Sequence, residues 1–553
     1  MEKENKGWGA PPGCSVAQHC PRWGIMPCMQ KPTAVLWVVL LSAAAYPETT
    51  SCERLSALKL PQANVTSAEV VAAGTFPVPA NLPAYLAGGE SLFKSLPAFC
   101  RVRAEAHPSA DSDIKVEIWM PVSGWSGKFQ GQGNGGFAGQ MDYRGMATAL
   151  SRGYATAATD TGHSGNATDA TWALGHPEKI VDFGYRGIHE MTRLAKTTIK
   201  AFYRSNPKYS YFGSCSNGGR QALMEAQRFP EDYDGILAGA PANYWTHLLA
   251  SALWDEQATT QDPASYIPSS KLPAIASAVN QACDRQDGVA DGILNDPRQC
   301  HFDPAVLTCK ESETDKCLTT AQVTALKQLY QGPHDSNGQI FPGFVPGAEE
   351  GDGGWSTWIT GSAPGQALLF LFGNGYFSNM IYNKADWDYK TADITQATKA
   401  SDAQGAKILN ATDPDLARLK SRGGKLIIYH GWNDPAISAI NSIDYYNQVV
   451  KKMGAQNAES FLRLYMVPGM QHCGGGPGES SFSARDVQLA LEDWVEKGVA
   501  PSKVVATTNS AGPASSYDAG MTRPLCPYPQ AAKYKGTGDP KRAESFDCAA
   551  GTN

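Results

Sequence analysis

The chain has 553 residues, a formal net charge of -6, 42% hydrophobic residues and 18% charged residues. That balance is globular and excludes a disordered or fibrous protein, and the length calls for two folded units or one domain carrying a large insertion. No Lys/Arg-rich run is present, so neither nucleic acid nor an anionic membrane is an expected partner.

The first feature in chain order is Lys31, followed by an apolar run over 34–41 and then Ser42, Ala43, Ala44 and Ala45. Charge, short apolar core and small residues in that order read as a secretory signal. The core is too short to span a bilayer, which takes about 20 residues. Residues 1–45 therefore read as an upstream extension and signal peptide, with Met29 a second candidate start. The expected location is secreted or periplasmic, with no stable membrane insertion once the signal is removed. Of thirteen cysteines, Cys14, Cys20 and Cys28 precede the signal and ten follow it. An even number in an exported chain implies a disulfide framework. Short separations suit Cys283–Cys300, Cys309–Cys317 and Cys526–Cys548, and Cys52–Cys100 would tie down the N-terminus, although sequence leaves the connectivity open. No CxxC pair supports a zinc site.

Strand-rich segments follow at 102–106, 114–120 and 154–159. A helix is predicted over 185–203, where Ile188, Met191, Leu194 and Ile199 recur at helical spacing. Next come a strand over 209–213, a Ser/Gly-rich turn, a helix over 222–229 and a strand over 235–238. Alternation of this kind predicts a largely parallel sheet covered by helices. The pattern dissolves over 243–422 and then resumes, with strands at 425–429 and 461–467 and helices at 436–452 and 485–497. A sheet interrupted and resumed predicts core residues 46–242 and 423–553 around an inserted lid, 243–422.

The turn at 211–220 (YFGSCSNGGR) carries Ser216 between small residues, just where a strand gives way to a helix. This is the pattern of a nucleophile elbow, in which a strained turn lifts the serine oxygen above the sheet of an α/β-hydrolase fold. The amide of Asn217, at the helix start, can then face a developing oxyanion. In this fold the acid and the histidine follow in that order on later loops. Asp434 lies just beyond the strand at 425–429, and His472 just beyond the strand at 461–467. His430 precedes the acid and lies close to its strand end, so a buried structural role is expected for it. Cys215 immediately precedes the proposed nucleophile and Cys473 follows the proposed base. A Ser216–His472 hydrogen bond would bring the two cysteines toward disulfide distance. A second oxyanion donor is sought in the glycine-dense segment 129–137, at Gly133 or Asn134. In the insertion, Asp284, Asp287 and Asp291 offer hard oxygen ligands on a tight, glycine-interleaved loop, which suits a structural Ca²⁺ though not an EF-hand.

Taken together, 213–220, 429–434 and 467–473, with 133–139 and 523–529, resemble the tannase/feruloyl esterase family across nearly all of the chain after residue 50. The resemblance implies an α/β-hydrolase with Ser216, Asp434 and His472 as its triad and Cys215–Cys473 as the family's bridge. It also implies a lid calcium held by the side chains of Asp284, Asp287 and Asp291 and the backbone carbonyls of Val289 and Ile293. One departure is visible: Ser214 stands where the family usually has glycine, and a slightly altered elbow is expected. Members of the family divide among feruloyl esters, galloyl esters and the mono(2-hydroxyethyl) ester of terephthalate. The leading expectation is a hydrolase of small aromatic, feruloyl-type phenolic esters needing no organic cofactor. Tannase and terephthalate half-ester hydrolase are the alternatives, and a catalytically dead, calcium-stabilised binding protein is a remote one. Between Arg298 and Arg418 the chain has no arginine, which disfavours a substrate bearing a free carboxylate. Trp355, Trp358, Phe370, Phe372, Tyr376 and Phe377 are candidates for an aromatic slot, most of them expected to be lid core instead.

Overall fold

The computed structural model describes residues 50–78, 90–351, 353–476, 484–507 and 521–551. The predicted signal over 1–45 lies outside the described residues. The centre is a nine-stranded sheet. Its strands are β1 (Ala63–Val71), β2 (Phe99–Ala106), β3 (Ile114–Pro121), β4 (Lys128–Gln132), β5 (Ala155–Thr159), β6 (Tyr209–Cys215), β7 (Gly235–Gly239), β8 (Lys425–Gly431) and β9 (Leu462–Val467). The spatial order is β1-β2-β3-β5-β4-β6-β7-β8-β9. The first three strands and the β3/β5 pair are antiparallel, and every pair from β5 onward is parallel.

The parallel strands are buried on both faces, and their side chains alternate between two cores. Phe212, Ile236, Ile428 and Leu464 face one core, together with Met191 and Leu194 of a helix at Gly187–Tyr203 and Leu223 of a helix at Asn217–Arg228. Tyr211, Leu237, Ile427 and Tyr465 face the other, with Leu491 and Trp494 of a helix at Ala484–Lys497. This is the period of two of a strand acting twice. Each such apolar side chain contributes about 1.5–3 kcal/mol by leaving water.

β4 departs from the expectation. Residues 128–132, the start of the segment read as a glycine loop, form a strand between β5 and β6. Gly131 is required there because a Cβ would stand 2.3 Å from the Tyr233 hydroxyl, so tight packing, not flexibility, explains that glycine. The loop proper begins at Gly133.

Between β7 and β8 the described residues add no strand to the sheet. The segment forms helices at Trp245–Thr260, Leu272–Cys283, Thr320–Gln331, Leu368–Gly375 and Ile394–Leu409, with one apolar core of its own and a second shared with Phe137, Phe183 and Ile437. After β9, two small antiparallel pairs close the chain, Val504–Thr507 with Thr522–Leu525 and Gln530–Tyr534 with Phe546–Ala550.

Candidate active site

Ser216 links β6 to the helix Asn217–Arg228 with φ 67° and ψ -126°. A serine in that left-handed region stores strain of about 1–3 kcal/mol, so the surroundings must hold it there. The Ser216 amide donates to Gly239 O at the end of β7 (2.9 Å), and its carbonyl accepts from the amides of Arg220 (3.0 Å) and Ala242 (3.2 Å). The helix can start this close only because residues 218 and 219 lack side chains. A Cβ on Gly218 would lie 1.9 Å from Ser214 Oγ, and one on Gly219 would lie 2.2 Å from Gly239 O. Ser214, the departure from the usual glycine, is accommodated. Its hydroxymethyl group occupies space left by Gly218 and Gly133, where a Cβ would stand within 2.9 Å of Oγ.

Two later loops converge on Ser216. His472 Nε2 lies 2.9 Å from Ser216 Oγ, and His472 Nδ1 lies 2.8 Å from Asp434 Oδ2. Asp434 is 2% exposed. Its Oδ1 accepts from the amides of Ala436 (2.8 Å) and Ile437 (2.9 Å), which fixes the carboxylate plane. Burial alone would raise its pKa, but the two histidines and their hydrogen bonds outweigh burial and hold it well below the ordinary carboxylate range. His430 is fully buried, as expected of a structural histidine. Its Nε2 faces two acceptors, Asp434 Oδ2 (3.1 Å) and Ile437 O (3.0 Å), so Nε2 carries a proton, and Nδ1 lies 2.7 Å from Ser442 Oγ. His430 therefore shares the carboxylate oxygen Oδ2 with His472.

A disulfide joins Cys215 to Cys473, with the Cα atoms 5.9 Å apart, and so links the residues flanking Ser216 and His472. The other four pairs are Cys52–Cys100, Cys283–Cys300, Cys309–Cys317 and Cys526–Cys548.

Facing Ser216, the loop after β4 is held by hydrogen bonds that the sequence does not reveal. Asn217 Nδ2 donates to Asn134 O (3.2 Å), Arg220 Nε donates to Asn217 Oδ1 (2.8 Å), and the Asn134 amide donates to Gln221 Oε1 (2.9 Å). The last bond corrects one expectation: the Asn134 N–H is engaged by Gln221 and is not free to meet an oxyanion. Gly133 packs beside Ser214 and Gln221, and Asn217 occupies the first position of its helix, as expected.

Above the histidine, Trp358 meets the His472 ring edge-on at 4.9 Å. Phe372 stacks on Trp358 at 6.3 Å, and Phe137 of the glycine loop meets Phe372 at 5.3 Å. Trp358 and Phe372 are half-buried, and Phe137 is fully buried in the core beneath them. Of the other candidate slot residues, Trp355, Tyr376 and Phe377 are fully buried in the inserted segment and Phe370 packs on Tyr389.

In the loop 284–293, Asp284 Oδ1 accepts from the amides of Gly292 (2.8 Å) and Asp291 (3.2 Å), and Asp287 Oδ1 accepts from Val289 (2.9 Å). Asp291 Oδ1 accepts from the Ile293 amide (3.2 Å), while Oδ2 pairs with Arg523. Partial burial, and after it the charge of Asp291, raises the pKa of Asp284 and pushes Asp287 up to about 6. A hard cation would relieve that repulsion, so the donor chemistry fits calcium. The three carboxylates do not by themselves close on one point. Among the described residues, side-chain ligand atoms converge within 4.8 Å only at Glu105/His107/Asp113 and at His189/Glu225/Asp232. Backbone carbonyls would have to complete the shell.

The model of the tannase and feruloyl esterase family matches residues 100–549. An uncharacterised esterase of Xanthomonas campestris pv. campestris is 38% identical over 551 residues, covering 93% of each chain. A mono(2-hydroxyethyl) terephthalate hydrolase of Piscinibacter sakaiensis is 34% identical, covering 82% of this chain and 85% of that one. The crystal structure of feruloyl esterase B from Aspergillus oryzae superposes with a TM-score of 0.81 at 30% identity, covering 90% of this chain and 99% of that one. With an α/β-hydrolase core and these relatives, the chain belongs to the tannase and feruloyl esterase family of carboxylic ester hydrolases.

Proposed function

We propose that this protein is an exported serine esterase that cleaves feruloyl-type phenolic esters through an acyl-enzyme. The observation that carries the proposal is the unbroken relay from Ser216 Oγ through His472 to Asp434, at 2.9 and 2.8 Å, with the serine on a strained elbow. As Oγ adds to the ester carbonyl, its proton passes to His472 Nε2, and the oxyanion faces the amide of Asn217 and a second amide of the glycine loop. Collapse expels the alcohol, which takes the proton from Nε2 and leaves Ser216 acylated. Water then repeats the sequence, returning the proton to Oγ and releasing the carboxylic acid. Asp434 holds Nδ1–H and so keeps Nε2 free to accept.

Export is supported by the five bridges, which need an oxidising compartment. Among the described residues, no helix is long and apolar enough to cross a membrane. A calcium held by Asp284, Asp287 and Asp291, with the carbonyls of Val289 and Ile293, would brace the loop closed by Cys283–Cys300 and take no part in the reaction.

Phenolic acids suit the neutral, half-buried rings of Trp358 and Phe372 beside His472. The arginines bounding the arginine-free stretch are already paired, Arg298 with Asp296 and Arg418 with Glu231, so neither is poised for a substrate carboxylate. The test is a hydrolysis panel of methyl ferulate, methyl gallate and the terephthalate half-ester. Methyl ferulate should exceed the half-ester in kcat/KM by at least about tenfold, a gap of ~1.4 kcal/mol. The opposite preference would assign the protein to terephthalate half-esters, and a gallate preference would make it a tannase.

A further inference from the structure

The residues just before the acid and the base carry buried amide side chains that no step above uses. Asn433 and Gln471 are 3% and 1% exposed. Both reach the same stretch of the inserted segment, residues 343–351. Asn433 Nδ2 donates to Gly347 O, and Gln471 Nε2 donates to Glu350 O at 2.9 Å. A third clip comes from beyond the acid, where Ser438 Oγ donates to Gly343 O at 2.7 Å. The stretch is itself anchored. Buried Glu349 accepts from the Gly347 amide (3.0 and 2.9 Å) and from Tyr330 of the helix Thr320–Gln331 (2.6 Å). A few residues on, the short helix Trp355–Trp358 delivers Trp358 to the His472 ring. Main-chain bonds tie the two loops together as well, since the amides of Trp432 and Asn433 donate to Val467 O and Met470 O, each at 2.9 Å.

On the serine-esterase reading above, we infer that Asn433 and Gln471 are positioning residues through which the strap 343–351 sets the spacing of acid, base and nucleophile. The inserted segment then serves the chemistry itself, in addition to covering the substrate. The physical ground is the tolerance of the relay. Asp434 and His472 each take their backbone direction from the residue before them, and displacing a reacting group by 1 Å costs about 100-fold in rate. A buried amide clipped to a fixed carbonyl prevents that drift, and an apolar side chain of the same size does not.

The test uses Gln471→Met and Asn433→Leu, which conserve volume while removing the donor, assayed on methyl ferulate in the full-length protein. Active sites are counted by end-point fluorophosphonate titration, so that kcat is expressed per folded, labelled serine and an unfolded fraction does not enter. Each variant should lose about tenfold to 100-fold in kcat with KM within about twofold of wild type, and the rate of Ser216 labelling should slow in parallel. Trp358→Ala, which alters the approach and not the strap, should by contrast raise KM. Wild-type kcat per titrated site in both variants, or a rise in KM alone, would overturn the positioning role while leaving the esterase reading intact. Wild-type protein that neither hydrolyses esters nor takes the label would overturn both.

Discussion

Asp434→Asn is the substitution whose consequence the structure specifies most closely. Asp434 uses both oxygens as acceptors: Oδ2 serves His472 Nδ1 and His430 Nε2, and Oδ1 serves the amides of Ala436 and Ile437. Asparagine has one oxygen and one NH2 group. If the oxygen stays with the backbone amides, the NH2 faces His472 and forces Nδ1 to become an acceptor, which places the imidazole proton on Nε2, against Ser216 Oγ. If the group is flipped, the NH2 confronts two backbone donors. The first arrangement leaves the fold nearly intact but holds the base in the tautomer that cannot accept the serine proton. The expected loss is about 10⁴ in kcat, or ~5.4 kcal/mol at 1.36 kcal/mol per decade. The pH dependence follows with a definite sign. Because the folded pKa of Asp434 is depressed, its ionised form stabilises the fold above the unfolded value of about 4, and that stability is lost only as the pH falls further. Between pH 5 and 9 the carboxylate therefore stays charged. The assay is kcat on methyl ferulate from pH 5 to 9, with melting temperature recorded alongside. A variant retaining more than about a tenth of wild-type kcat would refute the orienting role.

Removing the Cys215–Cys473 bridge, which spans 258 residues of sequence, should destabilise by up to about 5–6 kcal/mol in the chain-entropy model. For roughly 500 ordered residues that is a fall of about 5 °C in melting temperature. The Cys215→Ala/Cys473→Ala double variant should also lose activity, and full retention of both properties would show the bridge to be dispensable. Chelation should lower the melting temperature, with recovery on adding Ca²⁺ but not Mg²⁺, since 100 Kd of a bound ligand is worth about 2.7 kcal/mol. An unchanged melting curve with no calcium by elemental analysis would remove the ion from the account.

Much of this architecture is legible in the sequence, and what is not has identifiable causes. β6 to β9 announce themselves because strands buried on both faces are rich in apolar residues, whereas β1 is an edge strand with a largely exposed, irregular pattern. β4 hides behind Gly131 and the paired glutamines Gln130 and Gln132, which read as loop. The helix Trp245–Thr260 is buried on most of its circumference, so it shows little of the amphipathic period by which helices are found. At the site, Ser216, Asp434 and His472 are recognisable because order and spacing constrain them jointly. Gln221, Asn433 and Gln471 are amides, which have no reactive signature, and their roles emerge only when a distant carbonyl or amide stands opposite. The engagement of the Asn134 amide is hidden for the same reason, since its partner Gln221 lies 87 residues away in sequence.

On the serine-esterase reading, Ser216 is the activated nucleophile. The most direct test is labelling with a fluorophosphonate, followed by peptide mass spectrometry of the adduct. One adduct per chain is expected, on Ser216, with labelling and ester hydrolysis abolished together in Ser216→Ala and His472→Ala. Label on another residue, or ester turnover that survives Ser216→Ala, would contradict it.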